Sequence, residues 1–427
     1  MSMKYDMIVE GGQVPSGKVK VSGAKNSATR LLAASMLAEE PVRIRNFPTQ
    51  LVDVVEKIRF MRELGAKVEA DDEREFVEIR TPSLSYESID NYDLPIRTTY
   101  LLTASQIVRN GTARIPYPGG CKIGSRGYDL HMMVWKDLGC DVKEEADYIE
   151  INGSFKGGAI DFPISTVGGT ENALMCASVA TGTTEIRNAY ITPEVEDLID
   201  MLGQMGAHIE NYGNSLIRVK GVGGPMRGAS FAVMPDRIEA LTWIVFAAMT
   251  GGNVFVEGVP FKHMKVPLLH LEEAGIDLYR NSDSVFISGE CIRQGIQPFE
   301  LACGTHPGVI SDMQSFYVLL GMKANGISRT FDYRYPERIA YARELSRFSE
   351  DAISCEPGKI TTHGIARLKG ADVSSTDLRG SMALVMAAFC ADGQSRIKDV
   401  HMAMRGYNGL IDKLKTLGVH ASLIEAE

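Results

Sequence analysis

Leu64-Gly65-Ala66-Lys67-Val68 returns along the chain four times: as Leu138-Gly139-Cys140-Asp141-Val142, Met205-Gly206-Ala207-His208-Ile209, Ala274-Gly275-Ile276-Asp277-Leu278 and Leu417-Gly418-Val419-His420-Ala421. The glycines at 65, 139, 206, 275 and 418 lie 74, 67, 69 and 143 residues apart, so the last interval is about twice the others. A degenerate copy fits midway in that interval, Leu345-Ser346-Arg347-Phe348-Ser349, with Ser349 in the glycine's place. Self-similarity at a fixed period marks repeated structural units, and here it gives six of roughly 70 residues.

Each copy follows a stretch of helical periodicity, such as Val54-Val55-Glu56-Lys57-Ile58-Arg59-Phe60-Met61. Each precedes a strand-like run, such as Phe76-Val77-Glu78-Ile79-Arg80 or Ser215-Leu216-Ile217-Arg218-Val219. A glycine just past the last helical turn is the expected stop, because it accepts the left-handed backbone that ends a helix. A second set of helical segments, at 170–180 and 378–390, carries Ala, Met and Leu on nearly all faces. Helices that are apolar all round are buried. The sequence therefore predicts an α/β fold with helices inside and strands outside, in two groups of three units.

At 427 residues the chain exceeds what one hydrophobic core usually serves, which predicts two domains. A net charge of −9 argues against a general nucleic-acid surface. It leaves room for an anionic small molecule, since a local cluster of Arg and Lys can oppose the global charge. The seven cysteines include no C-x-x-C pair, so neither a disulfide framework nor a zinc signature is present. Met1-Ser2-Met3-Lys4-Tyr5-Asp6 lacks the apolar core of a signal peptide. No apolar run approaches the roughly 18 residues of a membrane span. A soluble, cytoplasmic protein is expected, with no membrane or nucleic-acid partner.

Chemistry concentrates in a few segments. Pro118-Gly119-Gly120-Cys121-Lys122-Ile123-Gly124-Ser125-Arg126 puts a cysteine on a glycine-flanked loop near two cations. Nearby Lys and Arg ease formation of a thiolate, and the glycines let the loop bend around a small ligand. The same string also fits a turn around a buried, inert thiol, and both readings stand at this point. In Ser22-Gly23-Ala24-Lys25-Asn26-Ser27-Ala28, Lys25 and Asn26 open a helix, where amides and dipole favour an anion; taken alone, the string reads more readily as a capping loop with a solvated Lys. Arg97, Arg126, Arg334, Arg379 and Arg405 are spread over different units. Convergent arginines suit a ligand carrying carboxylate and phosphate, whereas any single one reads as a surface ion pair. Asp312 and Asp377 each precede an apolar helix and read as N-cap or first-turn acids, a place from which a carboxylate can also face a ligand. His131 reads as a packing residue or the maker of one hydrogen bond.

With these segments in hand, the chain resembles the enolpyruvyl transferases over essentially its whole length. The resemblance rests on Ser22-Gly23-Ala24-Lys25-Asn26, Met36-Leu37-Ala38-Glu39-Glu40-Pro41-Val42, Pro118 to Cys121 with Asp129-Leu130-His131, and Thr166-Val167-Gly168. It continues through Asp236-Arg237-Ile238-Glu239, His306-Pro307 with Asp312-Met313-Gln314, Asp377-Leu378-Arg379 and Arg405-Gly406-Tyr407. It implies a two-lobed inside-out α/β barrel of six βαβαββ-like units, three per lobe. One lobe would comprise 1–21 and 235–427, with both termini, Asp312, Arg379 and Arg405. The other, 22–234, would carry the Cys121 loop and the uridine segments. The implied reaction moves the enolpyruvyl group of phosphoenolpyruvate onto the 3-hydroxyl of UDP-N-acetylglucosamine through a tetrahedral ketal, releasing phosphate.

In that scheme Cys121 protonates the methylene carbon, and Lys25, Arg126 and Arg405 hold the phosphate and carboxylate. Asp312 is the general base beside the acceptor hydroxyl. Asn26 holds the acceptor sugar, and Asp129, Leu130, His131, Thr166, Val167 and Gly168 surround the uridine and diphosphate. Arg97, Arg334, Asp377, Leu378 and Arg379 complete the substrate contacts. No metal or cofactor is implied, because lysine and arginine supply the positive charge, and a monomer or weak homo-oligomer is expected. Closure of the two lobes would expel water from the ketal.

Departures from the family pattern cluster on the acceptor side. Gly127-Tyr128 stand where Pro-Val is common, Ile164 replaces a Lys of some members, and Ala240-Leu241 replace Thr-Gly. The stretch between Gly326 and Arg334 is short, and Ser349 replaces a repeat glycine. A different uridine nucleotide, such as UMP, is the alternative acceptor. A non-catalytic nucleotide-sugar binder is a third reading, but one with no use for Cys121, Lys25, Asp312 and Arg405 together.

Overall fold

Six small sheets carry the repeat. The computed structural model describes residues 5–84, 98–117, 127–213 and 215–426. One unit shows how each is built: strand Ala159–Thr166, helix Val167–Val179, strand Thr183–Ala189, helix Pro193–Gln204, then strands His208–Asn211 and Ile217–Lys220. Thr183–Ala189 runs parallel to the first strand, with Ile186 opposite Ile160, and antiparallel to the last, with Ile186 opposite Ile217. Ile160, Ile186, Ile217 and Val219 face inward with no exposed surface, while Asp161, Arg218 and Lys220 face out. That period-2 alternation is what a sheet with one wet face requires. Five sheets have four strands in this parallel–antiparallel–antiparallel pattern. The sixth, Thr112–Pro116, Tyr148–Asn152 and Asp141–Glu144, has three among the described residues.

Repeat glycines end the amphipathic helices as their spacing predicts. Gly65, Gly139, Gly206, Gly275 and Gly418 have φ of 104°, 92°, 120°, 88° and 72°, backbone that a side chain resists. The degenerate copy solves the same turn differently. Ser349 is extended at φ −156°, and Asp351, two residues later, takes the left-handed conformation at φ 60°. Asp is among the few side chains that tolerate it.

The apolar helices are interior. Every residue from Leu378 to Phe389 of helix Leu378–Cys390 is buried, as is every residue from Arg237 to Ala248 of helix Arg237–Thr250. They share one core with Met7, Val19 and Phe316. Leu31, Phe47, Trp135 and Leu174 belong to a second, separate core. The described chain accordingly forms two compact units, one of residues 5–22 and 235–426 and one of the rest. Each owns three sheets and one core. In the first, the N-terminal strand Tyr5–Glu10 is gripped between Gln394–Lys398 and Ala421–Glu425. In the second, the late strand Ser230–Ala232 pairs parallel with the early strand Val42–Arg45.

Candidate active site

Candidate residues fall in both units, and Arg97, Cys121 and Arg126 lie outside the described residues. In the unit holding both termini, two carboxylates meet on one arginine. Asp312 sits in the single turn Ser311–Met313 that opens helix Gln314–Met322. Asp377 caps helix Leu378–Cys390, its Oδ1 accepting from the amides of Arg379 and Gly380 at 3.1 Å each. Between them lies Arg338, whose Nη1 donates to Asp312 Oδ1 at 2.8 Å and whose Nη2 donates to Asp377 Oδ1 at 2.7 Å. The Arg338 and Asp377 side chains are 5% and 6% exposed, whereas Asp312 keeps 31% of its side chain at the surface. Burial alone would lower the Arg338 pKa, but the charges of Asp377 and Asp312 outweigh it and push it up. The guanidinium therefore stays charged and fixes the Asp312 carboxylate in one orientation.

Arg338 is a residue the sequence analysis missed. It lies in the turn just before helix Ala340–Leu345, whose Tyr341, Ala342 and Leu345 are buried, and only its spacing of three, four and seven residues from them marks it in the sequence. Arg379, by contrast, lies inside, 1% exposed. Its Nη2 is 3.7 Å from Asp236 Oδ2, its Nη1 donates to the Gly406 carbonyl at 3.3 Å, and it lies 5.2 Å over the Tyr407 ring. Burial works to lower its pKa, and Tyr407 and Asp236 more than offset that. Arg405, half-buried, immediately precedes Gly406, so the fold brings Asp312, Asp377, Leu378, Arg379 and Arg405 into one neighbourhood. Arg334 is exposed on the stretch leading to Arg338, with its guanidinium 6.0 Å from the Tyr335 ring centre.

In the other unit, Lys25 begins helix Lys25–Ser35, and Ala24 before it supplies no side-chain cap. Lys25 Nζ lies 3.0 Å from Asp53 Oδ2, with both side chains mostly buried. Asn26 follows, half-buried. Gly23 must be glycine, because a Cβ there would sit 1.9 Å from the Asn46 carbonyl oxygen. Thr166 caps helix Val167–Val179 by accepting from the Gly169 amide at 3.3 Å. Gly168 lies under Tyr100: a Cβ at 168 would meet Tyr100 Oη at 2.7 Å and His131 Cε1 at 3.4 Å. The Tyr100 and His131 rings stack at 3.7 Å. The Asp129–His131 and Thr166–Gly168 segments, 35 or more residues apart in the chain, thus meet over one aromatic ring. Asp129 is exposed, Leu130 packs partly against the core, and Val167 is half-buried. Asp197 was also missed; buried, it accepts from Ser27 Oγ and from the Met234 amide, and burial lifts its pKa to about 6.

The profile of EPSP synthase (3-phosphoshikimate 1-carboxyvinyltransferase) matches residues 9–414. The chain belongs to the EPSP synthase family. Within that family it is 36% identical, over 98% of its length and 96% of the relative's, to UDP-N-acetylglucosamine 1-carboxyvinyltransferase of Koribacter versatilis. It is 34% identical to the like-named protein of Novosphingobium aromaticivorans, over 96% and 97% of the two chains. Among solved structures, the enolpyruvyl transferase NikO from Streptomyces tendae superposes over all of both chains with a TM-score of 0.89 at 24% identity. EPSP synthase from Acinetobacter baumannii superposes with a TM-score of 0.76 at 16% identity, over 99% of this chain and 100% of its own. The EPSP synthase family fold and the six-unit reading of the sequence therefore agree.

The departures noted in the sequence divide by location. Ala240 and Leu241 are wholly inside helix Arg237–Thr250, so they alter packing. Tyr128 is buried edge-on against Tyr100 at 5.9 Å and His131 at 5.4 Å, beside the Gly168 segment. Ile164 is 62% exposed. Among the described residues no group of three or more His, Cys, Asp or Glu is arranged to hold a metal ion, and no helix is long and apolar enough to cross a membrane.

Proposed function

We propose that the chain transfers the enolpyruvyl group of phosphoenolpyruvate to the 3-hydroxyl of UDP-N-acetylglucosamine and releases phosphate, the first committed step of peptidoglycan synthesis. The observation that carries the acceptor is 36% identity across 98% of the chain to a protein named for that reaction. The orientation of Asp312 by Arg338 supports a base in that place. As the acceptor oxygen attacks C2 of phosphoenolpyruvate, its proton passes to Asp312, which Arg338 holds in place, and Cys121 delivers a proton to C3. The tetrahedral ketal then loses phosphate from C2 and a proton from C3, leaving the enolpyruvyl ether. Lys25, Arg126 and Arg405 would hold the phosphate and carboxylate, so the charge is met without a metal. The segments meeting over Tyr100 would take the uridine diphosphate. The reading takes the enzyme to be cytoplasmic, and monomeric or weakly associating.

Phosphate release from purified protein with phosphoenolpyruvate and a panel of acceptors tests it. Turnover is expected with UDP-N-acetylglucosamine. Turnover with UMP but not the amino sugar nucleotide would overturn the acceptor, and none with any acceptor would overturn the reaction.

A further inference from the structure

Lys25 and Asn26 open a helix whose capping position, Ala24, offers no side-chain bond. An uncapped first turn leaves its amides to water and frays. The Asp53 ion pair holds the Lys25 side chain; the backbone around it is held by two buried carboxylates. Asp197 of helix Pro193–Gln204 accepts on Oδ2 from Ser27 Oγ, in that first turn, and from the Met234 amide at 3.2 Å. Glu239 of helix Arg237–Thr250 accepts on Oε2 from the Ser22 amide at 3.0 Å. Its Oε1 accepts from Trp243 Nε1 at 2.8 Å and from Lys413 Nζ, which also donates to Ser22 Oγ at 2.7 Å. The chain passes from one compact unit to the other at 22–23 and again at 234–235. The flanking residues bond in pairs: the Asp236 amide donates to the Ser22 carbonyl at 2.9 Å, and the Ala24 amide to the Met234 carbonyl at 2.7 Å. Neither carboxylate has a part in the reaction proposed above. Packing alone does not call for them, since a buried carboxylate is costly and an apolar side chain of similar volume usually serves stability as well.

We propose that Asp197 and Glu239 are positioning residues for the reaction, which pin the segment Ser22–Ser27 at its two ends and so fix Lys25 and Asn26 between them. Asp197 matters more, because Ser27 shares a helical turn with both residues, whereas Ser22 acts on them through Gly23 and Ala24. A reacting group displaced by about 1 Å can cost about 100-fold in rate. This inference rests on the reading of Lys25 and Asn26 as ligand-holding residues.

The test is kinetics of the full chain with phosphoenolpyruvate and UDP-N-acetylglucosamine, beside calorimetric titration with inorganic phosphate, which needs no turnover. Asp197→Ala should lower kcat/KM by about 10–100-fold and weaken phosphate binding. Ser27→Ala, which removes only the bond to the helix, should reproduce most of that loss and serves if Asp197→Ala fails to fold. The double variant should be no slower than Asp197→Ala, since both changes break one contact. Asp197→Asn, whose amide oxygen can accept the same two bonds, should keep both values near wild type. Glu239→Gln should give a smaller loss than Asp197→Ala. A merely structural carboxylate would lower the urea midpoint and leave kcat/KM and phosphate affinity unchanged in Asp197→Ala and Ser27→Ala; that result, or single losses that multiply in the double variant, overturns the proposal. Phosphate affinity unchanged in Lys25→Met would instead sink the reading of Lys25, and the pinning with it. Wild-type protein without turnover would refute the reaction, and the phosphate titrations of the same variants would then decide the pinning.

Discussion

Arg338→Met is the most searching perturbation of the candidate site. The substitution keeps most of the volume and removes two charge-assisted hydrogen bonds of 2.8 and 2.7 Å. Asp377, 6% exposed, is left as a buried carboxylate whose remaining partners include the Arg379 and Gly380 amides. Asp312, 31% exposed, recovers part of its loss from water. Breaking a buried pair from one side costs about 3–5 kcal/mol, and the exposure of Asp312 argues for the lower half, about 3–4 kcal/mol. The same loss of orientation at the base should slow turnover by about 100-fold, close to 2.7 kcal/mol of transition-state stabilisation. Urea unfolding measures the first quantity, on the transition of the unit that holds Arg338, and phosphate release measures the second. Arg338→Lys separates charge from geometry: a point charge cannot fork between two carboxylates, so it should restore part of the stability and little of the rate. A loss below about 1 kcal/mol, or full activity in Arg338→Lys, would refute the clamp. Adding Asp377→Asn to Arg338→Met should return stability, since it removes the stranded charge.

Three further predictions follow from single observations. Asp197, lifted to about 6 from 3.8 by burial, contributes stability that is fully present below pH 4 and is lost as pH rises through 6. Asp197→Asn should therefore gain about 3 kcal/mol relative to wild type between pH 4 and pH 7.5, and parallel stability–pH curves would contradict it. Gly168→Ala places a methyl 2.7 Å from Tyr100 Oη, and the His131 ring stacked on Tyr100 limits how far it can yield. Overpacking of about 1–3 kcal/mol should appear as weaker binding of UDP-N-acetylglucosamine in titration calorimetry, and wild-type affinity would show that Gly168 is remote from the ligand. Fosfomycin, an epoxide mimic of phosphoenolpyruvate, should add its mass to the protein with acceptor present and fail to do so in Cys121→Ala; an unchanged intact mass for the wild type would argue against an activated thiol.

The fold was legible wherever a local physical demand leaves a local mark. A left-handed stop after an amphipathic helix demands glycine, and five of six copies supply it; a helix buried on all sides must be apolar all round, as residues 237–248 and 378–389 are. Strand pairing was not legible. Nothing in Ser230–Ala232 announces that its neighbour is Val42–Arg45, or in Tyr5–Glu10 that it lies between Gln394–Lys398 and Ala421–Glu425. Register of that kind is fixed by closure of each unit on itself, and a single-strand pattern carries only which face is wet. Ser349 shows the intermediate case, where the turn is required but its position slides two residues to Asp351.

The candidate site divides along the same line. Lys25, Asp312 and Asp377 stand at helix starts, where a polar residue before an apolar run is visible in the sequence, and the fold uses them there. Lys57 and Asp197 were passed over because a charged residue within a helix is read as its solvated face, and Arg338 because it stands in the turn before helix Ala340–Leu345. Their spacing contradicts that reading. Lys57 shares a stripe with Val54, Ile58 and Met61, and Asp197 with Leu198 and Met201, all buried, while Arg338 precedes the buried Tyr341, Ala342 and Leu345 by three, four and seven residues. A charge on such a stripe loses its water and must be compensated by partners from other elements. Those partners carry the functional information: Lys57 and Asp197 bond to the helix that begins with Lys25, and Arg338 bonds to Asp312 and Asp377. Lys57 and Asp197 each tie a helix, and Arg338 the turn before one, to neighbouring helices on which the candidate residues lie. A charge found at i, i+3, i+4 spacing among apolar residues therefore locates the support of a site even when its own contacts cannot be read from the sequence.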